Sequence, residues 1–149
     1  MSSNEPPLWM APIVAIGFPL VFALWWSTVV WIISRVSGWS ALAAAYGTDR
    51  PLPDDHVSFA SGRMRWGARY NNSLHLAATA EGLFIDVFTL FRPGHGRLFI
   101  PWGELRATDE RVMFVMPALR LQNQRVPGVP LVLWSADALA LVRAHLPAA

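Results

Sequence analysis

The chain has 149 residues, 54% of them hydrophobic and 15% charged, which is too apolar for disorder and leans away from an ordinary soluble domain. Twelve arginines face ten acids with no lysine and no cysteine, excluding a disulfide framework, a thiolate zinc site, an iron–sulfur cluster and a cysteine nucleophile. The net charge of +2 is small and the arginines are scattered, so no nucleic-acid partner is expected.

Charge placement divides the chain. All the arginines lie from Arg35 onward, while Pro6 to Ser34 carries no formal charge. After a short tail (1–10), the run from Ala11 to Ile33 would make a helix about 34 Å long, against a hydrocarbon core of roughly 30 Å. Twelve of its positions are Leu, Ile, Val or Phe, each favouring insertion by about 0.3–0.6 kcal/mol near the bilayer centre. Residues 11–34 are therefore expected to span a membrane, with Pro19 a tolerated defect. No Lys or Arg precedes the run, as a cleaved signal peptide would require. Trp9, Trp31 and Trp39 fall near the ends of the span, where an indole keeps its N–H wet. Trp25 and Trp26 lie deeper and point in different directions, towards lipid or towards a partner helix. Arg35 and Arg50 after the span, with Glu5 before it, favour a cytoplasmic carboxy-terminal domain.

Residues 35–47 follow as a short juxtamembrane amphipathic helix. Trp39, Leu42 and Tyr46 share one face, Ser37 is the expected N-cap and Gly47 the stop. Such a helix either lies in the interface plane or docks on the folded domain. Residues 48–55 (TDRPLPDD) read as a polar, proline-broken connector separating anchor from domain.

From His56 the periodicity changes to two, and 56–149 is expected to form one small domain. Strands are predicted over Val57–Met64, Ser73–Thr79, Leu83–Leu90, Arg97–Trp102, Arg111–Met116 and Val129–Trp134. Asn71-Asn72 and Glu81-Gly82 mark turns, and RPGHG (92–96) marks a longer loop. The third strand is apolar on both faces, so its second side should be covered by another element, a partner or the membrane. Ser135 is the expected cap of a final helix with Leu139, Val142 and Leu146 along its apolar stripe, ended by Pro147. The fold class is α+β: an N-terminal transmembrane helix, then a small antiparallel sheet or part-barrel closed by a C-terminal helix.

Three phrases carry a resemblance: LHLAATAEGLFIDVF (74–88), FIPWGEL (99–105) and SADALALVRAHL (135–146). On these the domain resembles the pleckstrin-homology-like (PH-like) superfold, and the chain resembles bacterial single-span membrane proteins that carry such a domain. The resemblance implies that Trp102 plugs the sheet where a strand ends. It also implies phosphoinositide binders and protein-docking modules as functional analogues, without choosing between them.

Arg63, Arg65 and Arg69, with Trp66 and Tyr70, form the densest basic–aromatic group and could contact lipid headgroups or phosphate, each arginine worth about 1 kcal/mol at an anionic surface. Alternatively they pair with Asp86, Glu104 or Asp109. Phe88, Leu90, Phe91 and Arg92 precede the PGHG loop and, with Trp25, Trp26, Trp31 and Trp39, are the candidates for membrane or partner contact. No catalytic residue or metal site is expected: His56 beside Asp54 and Asp55 lacks ligand spacing, His75 and His95 stand apart, and Ser58, Ser61 and Ser73 have no base or elbow. No cofactor is implied. The expected function is a non-enzymatic accessory or docking protein of the bacterial inner membrane, engaging lipid and an integral membrane complex. An anionic-lipid-binding module is the alternative, and a membrane-tethered hydrolase the remotest reading.

Overall fold

The computed structural model describes residues 5–146. Residues 1–4 of the tail and the expected helix stop Pro147 lie outside them.

Helix α1 runs from Met10 to Ser37, 28 residues, one turn beyond the expected span at its carboxy end. Pro12 sits in the first turn, where the missing N–H would have had no helical partner, and Pro19 lies inside the helix. At 1.5 Å per residue α1 is about 42 Å long, roughly 12 Å more than a hydrocarbon core. Among the described residues it is the one helix long and apolar enough to cross a membrane. Its two ends differ. Ile13, Ile16, Phe18, Leu20 and Leu24 touch little and are exposed, whereas Val30, Ser34 and Ser37, spaced as one helical stripe, are buried.

Gly38 then turns the chain with φ +88°, and a Cβ there would stand 2.6 and 2.9 Å from the Val129 methyls. A left-handed backbone in such close contact needs glycine. Helix α2 (Trp39–Tyr46) follows at once and buries Trp39, Leu42 and Tyr46 in the domain core. Of the two placements open to this segment, docking on the domain is the one observed.

Seven antiparallel strands form a half-barrel: β1 Val57–Arg63, β2 Arg69–Ala78, β3 Gly82–Val87, β4 Leu98–Pro101, β5 Leu105–Val112, β6 Met116–Asn123 and β7 Leu131–Leu133. Their spatial order is β4-β3-β2-β1-β7-β6-β5. Alternation directs Leu76↔Ile85, Leu83↔Ile100, Leu121↔Leu131 and Leu119↔Leu133 to the inside. The edge strands β4 and β5 are joined by a short 3-10 turn, Trp102–Glu104, in which the buried Trp102 donates its indole N–H to the Thr79 carbonyl (2.8 Å). Helix α3 (Ala136–His145) packs on β1 and β2.

Several expected boundaries are corrected. Asn71-Asn72 is not a turn but part of β2: Asn72 takes a left-handed φ of 49° beside a register shift in β1, and its N–H is held by Ser61 Oγ at 2.9 Å. The predicted strand Arg111–Met116 is the end of β5 plus a hairpin turn, because the apolar residues there sit at the tip. Strand β6 was not expected. Ser135 does precede α3, but its hydroxyl accepts from Ser61 N (3.3 Å) rather than capping the helix.

The connector does not hold anchor and domain apart. Thr48 N bonds Arg97 O (3.0 Å), Arg97 Nη1 bonds Arg50 O (2.8 Å), and the Arg50 guanidinium lies 5.2 Å over Phe84 and 4.9 Å over Phe99. It is this segment that covers the second apolar face of β3.

Candidate functional site

The site best defined by geometry is the junction where the lower half of α1 meets the domain. The β3–β4 loop climbs along the helix. Trp26 donates its indole N–H to Leu90 O (2.9 Å) and packs on Phe91 at 5.7 Å between ring centres. One turn of 3-10 helix, Thr89–Phe91, makes that contact by interrupting β3 after Val87. Lower down, Gly94 presses against Ser34, and Trp39 donates its indole N–H to Gly96 O (2.8 Å).

Between these contacts runs a buried polar chain. Tyr70 Oη lies 2.9 Å from both Ser37 Oγ and His95 Nε2, and His95 Nδ1 lies 3.1 Å from Pro93 O. The partners settle the direction of each bond. A carbonyl only accepts, so His95 Nδ1 carries the proton and Nε2 accepts from Tyr70. Tyr70 must then accept from Ser37. Burial lowers the His95 pKa and pushes Tyr70 up to about 12, so both are held neutral. Beside this chain is a cavity of about 220 Å³ whose walls include Val30 and Ile33 of α1 with Arg69, Tyr70, Phe91 and His95.

The three candidate arginines do not converge on one ligand. Arg63 is held by Glu110 at 3.0 Å. Arg65 reaches the carbonyls of Arg35 and Val36 at 3.4 Å, where a cation complements the negative end of α1. Arg69 is exposed and makes no ion pair among the described residues. Arg63 and Arg65 do line an open cleft of about 350 Å³ with Trp66 and Arg120.

The remaining candidates divide by environment. Trp25 is exposed, and Trp31 lies under the Arg35 guanidinium at 4.7 Å. Phe88 and Leu90 are exposed, while Phe91 packs against the core. Arg92 and Arg97 both bind the buried Asp86, at 2.7 and 2.8 Å, and Asp86 also accepts from Val87 N. That leaves Asp86 no role in orienting His75, whose Nδ1 has no partner. His56 and His75 meet edge-on at 5.7 Å, but the His56 Nδ1 contact goes to Pro53 O. Among the described residues no group of three or more His, Cys, Asp or Glu could hold a metal ion.

Ser37, Tyr70 and His95 were each visible singly, as a cap, an aromatic and a lone histidine, but their link was not, because they are separated by 33 and 25 positions and match no motif. The usable signal was local: a histidine between two glycines, where the backbone can approach a neighbour closely. No family model, curated protein or solved structure matches this chain.

Proposed function

We propose that this chain is a non-enzymatic, membrane-anchored accessory protein whose domain docks on a larger integral membrane complex. In this reading α1 spans the bacterial inner membrane once and the domain is cytoplasmic, as the arginines following the helix favour. The single observation that carries it is the hydrogen-bonded junction between α1, α2 and the domain. Trp26–Leu90 and Ser37–Tyr70–His95 tie α1 to the domain over three turns, and Trp39–Gly96 ties the start of α2 to the same loop. A lipid anchor needs only a loose tether. A fixed junction suits a domain that must meet a partner at a set height and angle above the bilayer. The strand order and the closing helix α3 support the PH-like reading, in which such a domain serves as a docking module.

Above the junction, Phe18, Phe22 and Trp25 form an aromatic ridge with ring centres 6.3 and 6.0 Å apart, free to meet a second helix. A photo-crosslinking residue placed at Phe18 or Trp25 in the full chain should give one discrete protein adduct in cell membranes. The same companion should copurify in stoichiometric amount after mild-detergent extraction. Adducts with lipid alone at both positions, and no copurifying chain, would refute the docking function.

A further inference from the structure

The β5–β6 hairpin ends in Met113, Phe114 and Val115, followed by Met116 at the start of β6. All four are exposed, Phe114 at 93%. Met113 and Phe114 have φ of 52° and 67°, the left-handed region where a tight hairpin turn takes Gly, Asn or Asp. The apolar residues at this tip therefore serve neither the turn nor the core. A position that breaks two local rules without a structural return points to function.

The tip lies beside the anchor. Arg69 and Asn71 line the cavity closed by Val30 and Ile33 of α1, and the same two residues line a second cleft, about 150 Å³, closed by Met113 and Met116. Counted from Met10, roughly twenty residues cross a hydrocarbon core, so the helix leaves it near Val30. Val30 and Ile33 thus mark the lipid–water boundary, and Arg69 and Asn71 stand between them and the Met113–Met116 side of the tip. Arg111 and Arg69, both exposed and without ion pairs among the described residues, flank the apolar group. Apolar and aromatic side chains with arginines alongside make an interfacial surface.

We propose that Met113–Met116 is a second membrane contact, inserted into the headgroup–acyl boundary of the bilayer that holds α1. This rests on the reading of α1 as a membrane span. The bilayer is favoured over a protein occupant because the chain itself fixes its position relative to the tip, so insertion is an intramolecular step at high effective concentration.

The absence of cysteine makes the test direct. In the full chain, Phe114→Cys, Phe18→Cys in the span and Ala80→Cys in the β2–β3 turn each carry one environment-sensitive fluorophore. The proteins are reconstituted into vesicles of equimolar phosphatidylcholine and phosphatidylglycerol. A label at 114 should be quenched by lipid bearing a shallow spin label, and quenched by aqueous iodide about threefold less than at 80. Lipid quenching at 18 with free iodide access at 114 would overturn the proposal and leave the span intact. No lipid quenching at 18 would instead refute the span, and the tip contact with it. Shielding at 114 that disappears as the protein is diluted in lipid would identify a second copy as the occupant, which also overturns the proposal. Val115→Cys repeats the measurement should Phe114→Cys fold poorly.

Discussion

Replacing Tyr70 by Phe removes one hydroxyl and leaves the ring, which packs 5.6 Å from Trp39 and 5.6 Å from His95. The packing contribution is therefore nearly unchanged, and the effect is read from hydrogen bonds alone. His95 is 1% exposed, so its Nε2 loses its donor while itself shielded from bulk water. An orphaned buried acceptor costs about 1–3 kcal/mol. Ser37 Oγ still accepts from Trp39 N (3.3 Å), but its proton is left only Ser34 O at 3.4 Å, a long hydrogen bond, which adds a further fraction. The expected loss is about 2 kcal/mol; at about 4–8 °C per kcal/mol for a domain of this size, Tm falls on the order of 10 °C. The assay is thermal unfolding of the detergent-solubilised full chain, followed by tryptophan fluorescence. Adding His95→Leu removes the orphan, so the double variant should lose at least about 1 kcal/mol less than the sum of the single changes. A Tyr70→Phe protein that melts with the wild type would refute the buried chain as drawn.

Gly38→Ala should destabilise by about 2–4 kcal/mol, from the left-handed φ and the collision with Val129, and Gly38→Asn should be no better despite its tolerance of that backbone. Denaturant titration checks this; a loss under about 0.5 kcal/mol would show that Val129 moves aside. Asp86→Ala leaves Arg97 and Arg92 without their shared carboxylate, and a loss of about 3 kcal/mol is expected, with Asp86→Asn intermediate. Lowered pKa values at His95 and His75, both chiefly from burial, mean that the unfolded chain binds more protons below about pH 6.5. Stability should therefore be level above pH 7 and fall as pH drops below about 6.5, with His95→Gln reducing the slope. Glu104, held low by Arg125, adds loss only below about pH 4.5, outside that window. A Tm independent of pH across this range would contradict the neutral state of buried His95 and half-buried His75.

The long apolar helix α1 was legible because its signal is compositional: a charge-free run long enough to cross a bilayer. The alternating strands β3 and β4 were legible for a similar reason, since each side chain of β3 is buried on one face or the other. The β5–β6 hairpin was not. Its strand LRATDERV is polar and half exposed, and its turn carries the hydrophobic residues, so the periodicity pointed to a strand where the chain reverses. Asn71-Asn72 misled in the opposite sense, because a bulge needs the same left-handed residue as a turn. At the junction, Trp26 and Phe91 were separately visible as candidates, but nothing local says that they touch. The polar chain through Tyr70 depends on three segments meeting, which only the sheet topology determines.

Placing Trp39 and Leu42 inside the half-barrel has a consequence for the life of the molecule. The residues that complete the globule leave the ribosome attached to the hydrophobic segment, before any strand has been made. The sheet cannot close its core without them, and no protease can release an intact globule by cutting between them and the sheet. Such a cut would remove the keystone along with α1.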